Sequence, residues 1–230
     1  MAIILTGIQT GLDEPFDNAV SAAIKKLKIR PQDVKKAYPV KSSIDARHPK
    51  TIRLVYSVGL ELSVDEEALL AKCSVPGATL RKDPALELHF GQKKLQHRPV
   101  IIGFGPAGMF AALLLAQQGY RPLVLERGQD VDKRVQAVEG FWHRGLLDPE
   151  SNVQFGEGGA GTFSDGKLTT RIHDPRCGFV MEQLTRFGAP EETMQKAKPH
   201  IGTDKLRQII PAIRRRIEEA GGEVRFGTKL

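Results

Sequence analysis

The stretch that decides the fold is Val100-Ile101-Ile102-Gly103-Phe104-Gly105-Pro106-Ala107-Gly108. Its three apolar residues predict a strand buried on both faces of a parallel sheet, and the strand leads into a G-x-G-x-x-G turn. A helical pattern follows over Ala107 to Gln118, and a second apolar strand is predicted over Leu123 to Leu125. Strand, glycine turn, helix and strand within about 30 residues predict a βαβ unit with a right-handed crossover.

Each glycine of the turn has a structural role that a larger residue could not fill. Gly103 permits the tight turn out of the strand, Gly105 lets the backbone approach a pyrophosphate, and Gly108 lets the helix pack closely on the sheet. The free N–H groups and the positive end of the helix dipole then stabilise phosphate charge. The whole turn from 103 to 108 is therefore predicted to bind a dinucleotide.

Glu126 adds an acid at the end of the second predicted strand. It follows Gly103 by 23 residues, which is the spacing expected of a carboxylate that binds the ribose. Its oxygens would accept hydrogen bonds from the adenosine ribose hydroxyls, and its charge disfavours a 2′-phosphate. Strand context, spacing and acid together favour a dinucleotide site over a glycine-rich turn that binds nothing.

Several further stretches carry a resemblance to known flavoproteins. Val100 to Gly128, ending in Val124-Leu125-Glu126-Arg127-Gly128, resembles the FAD-binding start of the glutathione-reductase-type flavoproteins. Three other stretches resemble a bacterial family of FAD-dependent dehydrogenases. Members of that family carry a small α+β domain before the flavin domain. One of the stretches is Lys41-Ser42-Ser43-Ile44-Asp45-Ala46-Arg47, and the other two come later in the chain. The later runs are Gly158-Gly159-Ala160-Gly161-Thr162-Phe163-Ser164-Asp165-Gly166-Lys167-Leu168 and Lys198-Pro199-His200-Ile201-Gly202-Thr203-Asp204-Lys205-Leu206.

The resemblance implies FAD as the cofactor and a second group of binding residues. The residues themselves are consistent with such a role, because a run of glycines has few side chains and its backbone N–H groups can contact a ligand. Lys167 is predicted to contact an anion or the flavin, and Arg127 and Arg134 to neutralise phosphate or to hold the loop after the second strand. The residues that the resemblance places beside the flavin or the pyrophosphate are Gly158, Gly159, Ala160, Gly161 and Thr162.

The residues before the glycine turn predict a separate domain. Their pattern reads β-α-β-β-α-β, the order of a ferredoxin-like fold. Strands are predicted over Ala2 to Ile8, Tyr38 to Ala46, Thr51 to Leu62 and Leu86 to Phe90, and the two helices are capped by Asp17 or Asn18 and by Ser63. The predicted α/β architecture is thus a ferredoxin-like α+β domain over 1–90, a polar linker over 91–99, and a partial Rossmann-type FAD-binding domain over 99–230.

The last third of the chain predicts three more elements. Helices are expected over Cys177 to Phe187 and over Thr203 to Gly221, the latter capped by Thr203 or Asp204, and another strand is expected over Glu223 to Leu230. Members of the family that the chain resembles are far longer, with a substrate domain and a late Gly-Asp segment that contacts the flavin. The chain is therefore expected to be an N-terminal portion, and it offers no candidate for a catalytic acid or base.

Composition excludes several other classes of protein. Residues 1–98 hold 16 Lys/Arg against 11 Asp/Glu within a total net charge of +7, but the charges are scattered and disfavour a nucleic-acid partner. No apolar run reaches the length of about 20 residues that spans a bilayer. Two cysteines without a Cys-x-x-Cys motif predict a reduced, cytoplasmic protein without a metal site.

Three functions remain open at this point. The first is an FAD-dependent oxidoreductase with an unidentified small-molecule substrate or electron acceptor. The second is an NAD(P)-dependent dehydrogenase with the same fingerprint, which is disfavoured by the long glycine-rich segment from Ser151 to Gly166. The third is a non-enzymatic, basic ferredoxin-like module that binds RNA or a protein beside a vestigial nucleotide fold.

Overall fold

A computed structural model describes residues 1–73, 75–81, 87–164, 166–168, 172, 174, 176–196 and 199–230. The fold mixes helices with one antiparallel and one parallel sheet. The chain divides into two compact units, Met1–Glu87 with Glu191–Pro199 (unit 1) and Leu88–Pro190 with His200–Leu230 (unit 2). The predicted domains were contiguous, whereas here residues 191–199 group with the first unit. No helix in the described ranges is long and apolar enough to cross a membrane.

Unit 1 has the predicted order of strands and helices. Its four antiparallel strands lie in the order β2-β3-β1-β4. Alternate residues of the central strands and one stripe of the first helix form its apolar core, because side chains repeat every two residues in a strand and every three to four in a helix. The elements are β1 (Ala2–Thr10), α1 (Phe16–Leu27), β2 (Val34–Asp45), β3 (Arg53–Leu62), α2 (Glu66–Lys72) and β4 (Ala78–Arg81).

Both predicted helix caps of unit 1 are wrong. Helix α1 begins at Phe16 with Pro15 in the capping position, so Asp17 and Asn18 lie inside the first turn. Pro15 already has the φ of −66° and the extended ψ that a capping residue needs, and this fixes the start of the helix. Helix α2 is capped by Asp65, whose side chain accepts a hydrogen bond from the Ala68 N–H at 3.0 Å.

The last strand of unit 1 also lies elsewhere than predicted. It is β4, which pairs antiparallel with β1 from Ala2 and Arg81 to Leu5 and Ala78. The described residues 87–90 contain no strand, and Leu86 lies outside the described residues. The short segment Ala78–Arg81 was missed because four residues give too little alternation to distinguish a strand from a loop.

The cap of α2 gives a test of the corrected helix start. Asp65→Ala should lower the free energy of unfolding by about 1 kcal/mol, because the Ala68 N–H loses its acceptor and a negative charge leaves the positive end of the helix. Ser63→Ala is the matched control, since the Ser63 hydroxyl instead donates to the Asp33 carbonyl at 3.2 Å. Urea unfolding followed by circular dichroism measures both. An equal or larger loss in Ser63→Ala would restore the original prediction.

Unit 2 contains a parallel sheet with the order β5-β6-β7. Ile101 pairs with Val124, which pairs with Val224 on the other side. The predicted strands at 100–102 and 123–125 are confirmed, and the first helix begins one residue earlier than predicted. The elements are β5 (Val100–Ile102), α3 (Pro106–Gln117), β6 (Leu123–Leu125), α4 (Val131–Arg144), α5 (Arg176–Arg186), α6 (Thr203–Glu219) and β7 (Glu223–Arg225).

Three details of unit 2 differ from prediction. Helix α4 was not predicted at all. Helix α6 follows Gly202, which has no side chain to offer as a cap, so Thr203 and Asp204 lie within the helix. The final strand is limited to Glu223–Arg225, after which residues 226–230 continue without regular structure.

Strand β5 is not buried on both faces as predicted. Val100 and Ile102 are 56 % and 55 % exposed, while Ile101 packs against the apolar core. Among the strands described, β5 pairs with β6 and lies at the edge of the sheet. A run of apolar residues predicts a strand, but it does not show whether other elements pack against both faces of that strand. This explains the error.

Candidate functional site

A cleft of about 310 Å³ lies at the carboxyl ends of β5 and β6. Ligands of open parallel sheets bind at this end of the strands, and the volume is at the lower end of the range for ligand pockets. Four segments meet there: the glycine turn, the end of β6, part of the glycine-rich segment, and residues 228–230. The lining residues are Ile102, Gly103, Gly105, Leu125, Glu126, Arg127, Gln154, Phe155, Gly156, Gly159, Thr228, Lys229 and Leu230.

The three glycines of the turn have distinct surroundings. Gly103 has a φ of +89°, a left-handed conformation that favours glycine. A Cβ on Gly108 would overlap the carbonyl oxygen of Gly103 and lie 3.2 Å from a methyl group of Ile101. A Cβ on Gly105 would meet no atom of the described residues within 4 Å. Gly108 is thus required by helix packing, whereas Gly105 opens onto the cleft.

The first turn of α3 presents hydrogen-bond donors next to this opening. Pro106 occupies the first helical position, where its missing N–H costs nothing. The N–H groups of Ala107 and Gly108 have no carbonyl partner within the helix, because the first N–H groups of any helix lie ahead of its bonding pattern. Together with the helix dipole they make this end of α3 suited to an anion.

Phe104 contributes through its backbone and not through its side chain. The side chain is fully buried in the core of unit 2. Its N–H donates to Glu126 Oε2 at 2.7 Å, and its carbonyl accepts from the Gly158 N–H at 2.8 Å. The residue therefore joins the glycine turn to both of the other predicted binding segments.

Glu126 is held at the end of β6 by two backbone groups. Besides the Phe104 N–H, the Gly128 N–H donates to its Oε1 at 2.8 Å. The residue is 4 % exposed and lines the cleft. A carboxylate has about four acceptor positions, so each oxygen can accept a further hydrogen bond from a ligand hydroxyl.

Arg127 forms a wall of the cleft. Its guanidinium lies over the Phe155 ring, 3.9 Å from the centroid, and its Nε donates to Glu150 Oε2 at 2.8 Å. Lys229 lies 3.2 Å from the other oxygen of Glu150. Hydrogen bonding to Lys229 first, and to Arg127 second, holds the pKa of Glu150 below its usual value. Glu150 thus partly neutralises the positive charge at this wall.

The glycine-rich segment lies directly against the glycine turn. Gly159 has a φ of +66°, and a Cβ there would lie 3.1 Å from Pro106 Cδ and 3.4 Å from Gly105 Cα. This contact, together with the hydrogen bond from Gly158 to Phe104, brings the two predicted groups of binding residues together. Residues 105 and 159 both line the same cleft.

The other residues of this segment have different positions. Ala160–Phe163 form a 3-10 turn, in which Thr162 is fully buried and donates to the Glu157 carbonyl at 3.2 Å. A Cβ on Gly161 would meet no described atom within 4 Å. Lys167 is exposed and forms an antiparallel bridge with His200. Asp165 and Lys198, which belong to the two resembling runs, lie outside the described residues.

A buried charged network supports the segment from inside. Arg134 is fully buried and donates to the carbonyls of Asn152, Val153 and Glu157 at 2.7–2.8 Å. It therefore holds the segment from Asn152 to Glu157, which is a different loop from the one directly after β6 that it was predicted to hold. Burial lowers the pKa of Arg134 to about 10.

Glu157 and Arg214 complete the network and were not predicted. Glu157 is fully buried, and its carboxylate accepts from the Val131 N–H and from Arg214 Nε, each at 2.8 Å. Burial raises the pKa of Glu157, and these two partners oppose that rise. A charged residue among glycines was the available signal for Glu157, but nothing local pointed to a partner 57 residues away.

Metal ligation has no candidate in the described ranges. No group of three or more His, Cys, Asp or Glu side chains there is placed to hold a metal ion. His173 lies outside the described residues. The chemistry of the cleft therefore rests on backbone donors, one buried carboxylate and a basic wall.

Comparisons with known proteins give the following similarities. Residues 6–61 match the model of a domain of unknown function, DUF8436. An uncharacterized protein of Clostridium beijerinckii is 46 % identical over 231 residues, which cover 100 % of this chain and 43 % of that protein. The crystal structure of Thermovibrio ammonificans THI4 is 19 % identical, with a TM-score of 0.34, over 56 % of this chain and 38 % of that chain. The chain thus spans less than half the length of the Clostridium relative.

Proposed function

We propose that the cleft of unit 2 binds FAD and that the chain belongs to an FAD-dependent oxidoreductase. The observation that carries the proposal is the opening at Gly105 between the first turn of α3 and the Glu126 carboxylate. In this arrangement the pyrophosphate would lie on the N–H groups of α3, and the adenosine ribose would donate to Glu126. A bound FAD would supply two-electron transfer to a small-molecule substrate or electron acceptor.

The topology supports the finer fold assignments within this proposal. We infer that unit 2 is Rossmann-type, because its parallel strands lie in the order β5-β6-β7 and α3 connects the first two. We infer that unit 1 is ferredoxin-like, because two helices alternate with four antiparallel strands in the order β2-β3-β1-β4.

Two observations favour FAD over NAD(P) within the proposal. The buried charge of Glu126 disfavours the 2′-phosphate of NADP. Gly159, which packs against Gly105 and Pro106 of the glycine turn, also lines the cleft, and a longer cofactor would continue past it from its pyrophosphate. Residues of this chain would thereby bind and orient the nucleotide half of the cofactor.

The test is a titration of the purified protein with FAD, FMN, NADH and ADP. FAD should give a protein-bound absorption band at roughly 450 nm, a property of the flavin itself. ADP should compete with FAD, since both would occupy the ribose and pyrophosphate positions, and FMN should not. Binding of NADH without any binding of FAD would overturn the FAD assignment and favour a nicotinamide-dependent dehydrogenase.

Gly105→Ala should weaken FAD binding by at least about tenfold, which corresponds to about 1.4 kcal/mol. The added methyl group would occupy the space through which the backbone approaches the pyrophosphate. The φ of Gly105 is −72°, so alanine fits without backbone strain, and its poorer fit as the residue that caps α3 should cost at most about 1 kcal/mol of stability. Gly178→Ala in α5 also points into open space and is the matched control. Equal FAD affinity in wild type and Gly105→Ala would contradict the proposed pyrophosphate position.

A further inference from the structure

Arg207 on α6 is half-buried and holds one side-chain donor, its Nε, without a hydrogen-bond partner among the described residues. Its Cζ lies 4.7 Å from the centroid of the Phe163 ring. Its Nε is buried and has no hydrogen-bond partner among the residues that the structure describes. No ion pair joins it to any carboxylate in the described ranges.

Two other arginines of unit 2, in contrast, have hydrogen-bond or ion-pair partners for their guanidinium groups. Arg134 lies over the same Phe163 ring at the same 4.7 Å, but it donates to three carbonyls. Arg214, on the same helix as Arg207, pairs with the buried carboxylate of Glu157. Arg207 differs from both in holding a buried donor that the described protein leaves unused.

We propose that Arg207 binds an oxyanion, the carboxylate or phosphate group of a small ligand, beside the turn formed by Ala160–Phe163. A buried donor without a partner is unfavourable, and an oxyanion would relieve that cost. The planar fork of a guanidinium matches the two oxygens of a carboxylate or phosphate, and the Cζ of Arg207 lies over the Phe163 ring. This site goes beyond the proposed FAD cleft, since Arg207 does not line that cleft.

The experiment adds inorganic phosphate or succinate to the purified protein and uses sodium chloride of equal ionic strength as the reference. The thermal midpoint of the wild type should rise with either anion beyond the chloride effect, as expected of a ligand that binds the folded state. The Nε–H resonance of Arg207 in a proton–nitrogen NMR spectrum should shift saturably over the same concentrations.

Arg207→Met should abolish both responses without lowering the midpoint measured in chloride. Methionine keeps an apolar contact with Phe163 and removes the unsatisfied N–H, so no stabilising hydrogen bond is lost. Arg215→Met replaces an exposed arginine of the same helix and should keep the full response. Arg207→Lys retains the charge without the planar fork and should weaken anion binding by about tenfold.

Two results would overturn the proposal. One is an anion response in Arg207→Met equal to that of the wild type. The other is a wild type without any saturable response, together with a reduced midpoint in Arg207→Met, which would assign Arg207 a structural role. If Arg207→Met does not fold, Arg207→Lys decides by the same two criteria.

Saturation with FAD identifies the source of the oxyanion. If bound FAD removes the response to phosphate and succinate, the oxyanion belongs to the cofactor. If the response persists, it belongs to a separate acidic ligand, and both results support an oxyanion at Arg207. A protein that binds no FAD but still responds through Arg207 would separate this site from the proposed function.

Discussion

Gly108→Ala is expected to lower the free energy of unfolding by about 3 kcal/mol and to abolish nucleotide binding. The added Cβ would overlap the Gly103 carbonyl oxygen and would also press on Ile101 of β5. The oxygen belongs to the backbone of the glycine turn, so it cannot move aside as a flexible side chain could. Helix α3 must shift away from the sheet, and overpacking of this kind costs about 1–3 kcal/mol or more.

Gly105→Ala is the matched control for this effect. The two glycines are three residues apart in the same turn, but a methyl group at 105 enters open space. Urea unfolding followed by circular dichroism should therefore show a large loss of stability in Gly108→Ala alone, while FAD titration should show weakened binding in Gly105→Ala and none in Gly108→Ala. A Gly108→Ala variant as stable as the wild type would mean that the close approach of α3 to β5 is wrong.

Arg134→Met is expected to destabilise the protein by about 3–5 kcal/mol, the range found when a buried charged group loses its partner. Three buried carbonyls would lose a charged donor, and the carboxylates of Glu126 and Glu157 would lose a positive charge that interacts with them. The segment from Asn152 to Glu157 should then detach, because Arg134 bonds it at three points.

Urea unfolding and limited proteolysis together measure this second effect. The expected result is a lower unfolding midpoint and new cleavage between residues 150 and 160 in Arg134→Met. Arg207→Met is the matched control, because both guanidiniums lie 4.7 Å from the centroid of the same Phe163 ring. Equal stability of the two variants would show that the carbonyl bonds of Arg134 contribute little.

Local patterns predicted the central βαβ unit well. The strands at 100–102 and 123–125 and the helix between them each depend on residues adjacent in sequence. The roles of Gly103 and Gly108 followed from the same short motif and agree with their surroundings. Helix α4 could also have been found, since Asp130 caps it and Val131, Val135 and Val138 recur at helical spacing.

Long-range features could not be predicted in this way. Glu157 and Arg214 form an ion pair although they are 57 positions apart, and no local sequence pattern at either residue indicates this pairing. That the Nε of Arg207 has no partner among the described residues follows only from their arrangement in three dimensions. The exposure of Val100 and Ile102 depends on what packs against their face of the sheet, and an apolar run contains no information about that.

The allocation of residues 191–199 to unit 1 has a consequence for the order in which the chain is made. The Ser42 N–H of β2 donates to the Gln195 carbonyl, and Ser42 forms a parallel bridge with Lys196. At a ribosomal rate of about 5–20 residues per second, the roughly 150 intervening residues take roughly 8–30 s to emerge. Throughout that interval the outer edge of β2 lacks this partner, and an uncovered strand edge is the kind of surface on which nascent chains aggregate. Chaperone demand during synthesis should therefore peak before residue 199 has left the ribosome.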